Sequence, residues 1–231
     1  MLLTPFEITA LVLSIQVSVV AVVASLVPGI AVAWLLARCR FPGKALVDGF
    51  IHLPLVLPPV VVGYTLLVLL GRRGVLGAWL YGVFGITFAF NWKGAALASA
   101  VVSFPLLVRA IRLSLEAVDR RLEAAARTLG AGRPRVFLTV TLPLTAPGLL
   151  TGTILAFARS LGEFGATITF VSNIPGETQT LPLALYSLVQ QPSGDAAAGR
   201  LVVISIVLSL AALVASELVA RRVRRQIGSA A

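Results

Sequence analysis

Five long apolar stretches, at residues 8–36, 46–70, 94–115, 148–172 and 201–220, leave this chain few ways to fold. Each is long enough as a helix to cross a bilayer core of about 30 Å, which takes roughly 20 residues. Within lipid the backbone polar groups must pair internally, so the stretches are expected to form helices. Only 12% of the 231 residues are charged and 58% are hydrophobic, against about 25% charged in an average soluble domain. An all-α membrane protein with five transmembrane helices is the expected fold class.

The charges that remain are ordered. Of the 19 Lys and Arg, fourteen fall on one side if the spans alternate: Arg38, Arg40 and Lys44, then the seven arginines from Arg109 to Arg135, then Arg221, Arg222, Arg224 and Arg225. Arg72, Arg73, Lys93 and Arg200 fall on the other side, and Arg159 lies inside the fourth span. The excess of cations places the N-terminus outside and the C-terminus in the cytoplasm. The Arg72-Arg73 pair runs against that rule. A net charge of +10 therefore marks topology, and no nucleic-acid partner is expected. The first span is too long, and its start too poor in cations, for a cleaved signal.

One cysteine, Cys39, and one histidine, His52, exclude an intrachain disulfide and a Cys/His metal cluster. His52 beside prolines reads as a helix-packing hydrogen-bonder. No G-x-x-x-x-G-K-[ST] loop occurs, so the chain is expected to bind neither ATP nor another cofactor. Neither G-x-S-x-G nor H-E-x-x-H occurs, which weakens the reading as a membrane-bound enzyme. Pro58-Pro59 is expected to kink or break the second span. Residues 74–93, short and rich in glycine and aromatics, read as an interfacial or re-entrant element on the outer face, and residues 181–190 as a second short outer element.

The segment 122–148, LEAAARTLGAGRPRVFLTVTLPLTAPG, is the most informative. Good helix formers fill residues 115–129, and Gly130 supplies a left-handed stop. Pro134 fits the first turn of a second helix, which Pro143 is expected to end. This segment resembles the EAA loop of ABC importer permeases: E-A-A, three residues, glycine, nine residues, I-x-L-P. With Gly130 as the fixed glycine, the triplet falls on Ala124, Ala125 and Ala126, and the end on Val140, Thr141, Leu142 and Pro143. Glu123 stands one residue before the expected glutamate, which leaves its role open. The resemblance implies coupling helices, within a loop at 116–147, that dock on a separate ATPase.

The fourth span carries Arg159 and Glu163 at i, i+4, on one helix face. Charges at that depth are costly and are functional candidates by default. The pair is either a structural ion pair or a lining and gate of an anion pathway. Gly152, Gly162 and Gly165 flank it and are expected to let two copies of the span meet closely.

FPGKAL, HLPLVLPPVVVGY and SLGEFGATITFVSNIPGETQTLPLALYS resemble the molybdate branch of the sulfate, molybdate and tungstate permeases. The resemblance covers about residues 10–220, leaving a basic tail at 221–231. It implies the type I ABC importer fold, an inner-membrane homodimer among lipid, cytoplasmic ABC ATPase subunits and a periplasmic or extracytoplasmic oxyanion-binding protein. A sulfate, thiosulfate or tungstate permease of the same fold is the near alternative. A stand-alone secondary anion transporter is the alternative from another class.

Overall fold

The computed structural model describes residues 3–192 and 194–228, and beyond residue 215 only the side chain of Leu218. The described residues are helical with no strand. In chain order the helices are α1 (Pro5–Arg38), α2 (Lys44–Val56), α3 (Pro59–Leu70), α4 (Val75–Phe84), α5 (Trp92–Ala117), α6 (Arg120–Thr128), α7 (Arg133–Val136), α8 (Leu142–Leu144), α9 (Ala146–Leu161), α10 (Gly165–Val171), α11 (Leu181–Val189) and α12 (Asp195–Gly228). Three of them, α1, α5 and α12, are individually long and apolar enough to cross a membrane. The number of spans is up to five when bent helix pairs are counted as one. The basic tail continues the backbone of α12 as far as residue 228; its side chains, and residues 229–231, lie outside the described residues.

Local chemistry accounts for the breaks. α1 opens with a capping box, in which Glu7 N–H donates to Thr4 Oγ1 and Thr4 N–H to Glu7 Oε2, so two orphan donors of the first turn are paired. Pro58 and Pro59 divide the second span as expected, and α2 and α3 meet at 113°. The fourth span is divided too. α9 ends at Leu161 and α10 starts at Gly165, so Arg159 occupies the last turn of a helix rather than the middle of a continuous one. The short elements outside the spans, α4 and α11, are helices within the ranges expected for them.

Packing centres on α5, which lies against α1 and α9 along much of its length. One core cluster joins Leu13 and Val17 of α1, Val62 of α3, Ala95, Ala98 and Val102 of α5, and Ala166 and Phe170 of α10. A second joins Val22, Ala33 and Leu36 of α1, Leu107, Ile111 and Leu115 of α5, and Ala156 of α9. Small residues dominate where helices approach. A Cβ on Gly152 would meet Leu107 O at 3.0 Å, and one on Gly63 would lie 2.4 Å from Ala166 O. Lipid gives little hydrophobic drive between helices, so such close backbone contact is what holds them.

These contacts narrow one expectation to Gly162, which is exposed and has only Ala158 O near a Cβ, at 3.9 Å. Gly152 is taken up by α5, and Gly165 faces Pro59 and Val60 at the start of α3. Both glycines are spent inside the chain rather than on a second copy of the fourth span.

Ion pairs fix which helix ends lie together. Arg200 of α12 donates to Glu7 of α1 at 2.8 Å. At the opposite end, which carries the loop 118–145, Arg38 of α1 donates to Glu123 at 2.8 Å. Arg72, which runs against the charge rule, stacks over the Tyr81 ring at 4.6 Å and donates to its hydroxyl at 3.0 Å. Its cation is thus engaged with α4.

Candidate functional site

The loop is built in two pieces. α5 stops at Ala117, Val118 is extended, and Asp119 caps α6 by accepting from Arg121 N–H at 2.9 Å. The first loop helix therefore runs 120–128 rather than 115–129, because an N-cap residue interrupts it. After α6, Gly130 adopts φ +85°, and Ala131 N–H donates back to Ala126 O at 3.1 Å. A Cβ on Gly130 would meet nothing within 4 Å, so glycine is required there for its backbone conformation and not for space.

Pro134 lies in the first turn of α7, as expected. Pro143 does not end the second helix. A π turn at Phe137–Thr141 leads into α8, and the helical run bends by 66° at Thr145 before α9. A π turn shifts the hydrogen-bond register, which accommodates a proline that cannot donate.

Glu123 finds a defined place. Its Oε1 accepts from Arg38 Nη2 at 2.8 Å and from Thr141 Oγ1 at 2.9 Å. One carboxylate thus joins the end of α1, α6 and the π turn. Leu122, Ala125 and Leu129 share another face at i, i+3 and i+7; Ala124 is exposed, and Ala126 is half-buried. Leu129 is 88% exposed. Val140 and Leu142 are half-buried, and Pro143 is exposed. The loop offers a shallow apolar face on α6, held from behind by the part-buried Arg38–Glu123 ion pair.

Arg159 and Glu163 also meet. Nη1 and Oε2 lie 2.7 Å apart, as an ion-pair contact rather than an aligned hydrogen bond. The Glu163 side chain is 1% exposed, that of Arg159 31%. Glu163 Oε1 accepts from Ala166 N–H at 2.8 Å, so it caps α10 while neutralising Arg159. The break in the fourth span adjoins the break in the second, because Gly165 packs on Pro59. Two interrupted spans thus meet beside the Arg159–Glu163 ion pair, of which only the carboxylate is buried. Discontinuous helices with a charge at their break are a feature of transport pathways.

A further polar group escaped the sequence reading. Arg112 donates to Asp48 at 2.8 Å and to Glu116 at 2.9 Å. His52 Nδ1 lies 2.9 Å from Asp48 O and 3.1 Å from Asp48 Oδ1, which fits the packing role expected of it. Asp48 and Arg112 are 64 positions apart, and only the i, i+4 partners within each helix were there to be noticed. No group of three or more His, Cys, Asp or Glu able to hold a metal occurs among the described residues.

Residues 29–225 match the family of binding-protein-dependent transport system inner membrane components. The chain is 65% identical to the molybdenum transport system permease protein ModB of Escherichia coli K12, over 99% of its own length and 100% of that protein. It is 60% identical to the Haemophilus influenzae protein of the same name, over 96% and 97% of the two chains. A sulfate transport system permease protein, CysT of Escherichia coli K12, is 40% identical over 78% of this chain and 66% of that one. Among solved structures, an inward-facing MetNI methionine ABC transporter is similar in fold, with TM-score 0.73 at 16% identity and 96% and 99% coverage. A bacterial alginate ABC transporter is similar too, with TM-score 0.75 at 16% identity and 95% and 80% coverage.

Proposed function

The chain belongs to the family of binding-protein-dependent transport system inner membrane components, and on that premise we propose that it is the permease subunit of an ATP-driven molybdate importer. The observation that carries the substrate is the 65% identity with a molybdenum permease along the whole of both chains. The sulfate permease is only 40% identical over a shorter stretch, which favours molybdate over the sulfate reading. The chain is a transport component; in systems of this kind a separate ATPase hydrolyses ATP, and a binding protein delivers the substrate. Two copies of the chain, N-termini outside, would enclose one pathway in the inner membrane.

The loop geometry supports the coupling role. A face of Leu122, Ala125 and Leu129 is small enough to seat in a groove of the ATPase. The φ of +85° at Gly130 sets the angle between the two pieces of the loop. Glu123 passes movement of either piece to α1 through Arg38, because a paired and largely buried carboxylate resists separation from its partners. Arg159 and Glu163, at the meeting of the two breaks, are the residues we assign to the pathway or its gate. Arg159 keeps part of its surface exposed there, while Glu163 holds its guanidinium in place.

The test is ATP hydrolysis by the permease co-purified with its ATPase in lipid vesicles. Binding protein loaded with molybdate, tungstate or sulfate is compared with no addition. Stimulation by the molybdate form and not by sulfate is expected, and Gly130→Val is expected to lose it. A rate indifferent to every binding protein would remove the coupling reading and favour a stand-alone transporter.

A further inference from the structure

A cavity of about 480 Å³ opens between α2 and α5 at the loop end of the molecule. Asp48, His52, Arg109, Arg112 and Glu116 line it, with Ala45 at its edge. Its cations are unequally engaged. Arg112 is shared by two carboxylates, Asp48 and Glu116. Arg109, three residues earlier on the same face of α5, is exposed and pairs with no carboxylate among the described residues.

The position of the cavity is as telling as its charge. Asp48 and His52 lie roughly 14 Å and 8 Å along α2 from the break at Leu57, at a rise of about 1.5 Å per residue. That break packs beside the Arg159–Glu163 pair, so the cavity lies on the loop side of the candidate gate. An anion entering it meets the guanidinium of Arg109 with its donors free. It then competes with Asp48 for Arg112, whose fork suits two oxygens of one tetrahedral anion. Because a carboxylate must yield, binding is weak. Weak binding is what a site of departure needs, since conduction requires that the ion also leave.

We propose that this cavity is a low-affinity exit site for a tetrahedral oxyanion dianion, with Arg109 as the capturing cation and Arg112 exchanged from Asp48 to the anion. The proposal rests on the importer reading for the identity of the anion. The phosphate of an anionic lipid has the same chemistry, and the test separates the two sources.

Cys39→Ser with Ala45→Cys places a single thiol at the edge of the cavity. The permease carrying both changes is purified with its ATPase, and the thiol is labelled with a neutral maleimide at constant ionic strength. Molybdate or sulfate is expected to slow labelling about tenfold near saturation, with Arg109→Gln removing the protection and Arg109→Lys keeping part of it. Absence of protection by either dianion overturns the site, and so does protection that survives Arg109→Gln. The same labelling without oxyanion is run in phosphatidylcholine vesicles and in vesicles containing phosphatidylglycerol. Protection by phosphatidylglycerol alone, with none by the oxyanions, overturns the exit role in favour of a lipid headgroup. Hydrolysis stimulated by loaded binding protein is measured on the same preparation. Stimulation without protection removes the exit site and leaves the importer; protection without stimulation removes the importer and leaves an anion site.

Discussion

α2 and α3 come from one apolar span of sequence, and the protein treats them differently. α3 is bedded: Val62 and Gly63 are buried, and Gly63 comes so close to Ala166 that backbone touches backbone. α2 has no buried residue at all. Leu46, Phe50 and Val56 are about four-fifths exposed, and among the described residues α5 is the only helix it packs against substantially. What ties α2 to α5 by polar contact is Asp48 on Arg112. Close packing is rigid and short in range, whereas a partly exposed ion pair contributes little to stability and can be remade with another partner. One half of the span is therefore held by close packing and the other by an exchangeable ion pair, with the Leu57–Pro58 break between them.

Three substitutions probe that contrast. Gly63→Leu drives a side chain into the Ala166 backbone, and a loss of about 3 kcal/mol is expected, at the upper end for overpacking. Thermal unfolding in detergent measures it, and a wild-type melting temperature would mean that α3 is not bedded as described. Asp48→Asn removes the charge that holds α2, with an expected cost within about 1 kcal/mol for a pair one-third to one-quarter exposed. Its larger consequence is greater reactivity of a cysteine placed at Ala45 as α2 departs from α5. A stability loss equal to that of Gly63→Leu would erase the distinction between the halves. Phe50→Ala, on a side chain 77% exposed, is expected to change stability by less than about 0.5 kcal/mol. A clear destabilisation would show that something covers that face of α2, with a second copy of the chain the first candidate.

Much of this was legible in the residues, and the parts that were not have a common cause. The apolar stretches announced the apolar helices because lipid demands internally paired backbone. Pro58-Pro59 announced a break because proline cannot donate, and Gly130 a left-handed turn because it lacks a Cβ. The break after Leu161 was hidden: no proline marks it, and Glu163 makes it by capping α10 with a side chain that reads equally well as an ion-pair partner. The end of α5 was hidden because Asp119, one residue among good helix formers, supplies the cap. The place of Glu123 could not be read from a pattern that put it one position early. Its partner Arg38 is 85 residues away, and no periodicity connects the two. Asp48 with Arg112 escaped for the same reason. Local chemistry was readable, and long-range pairing of charges was not.

α1 is an unbroken helix of 34 residues, about 50 Å long, with an ion pair at each tip. Glu7 grips Arg200 at one end, and Arg38 grips Glu123 at the other. A helix of that length pinned at both tips is a tie rod. It shortens little under load, so a pull on the loop 118–145 arrives at the start of α12, at the opposite end of the helix bundle, as a displacement of similar size.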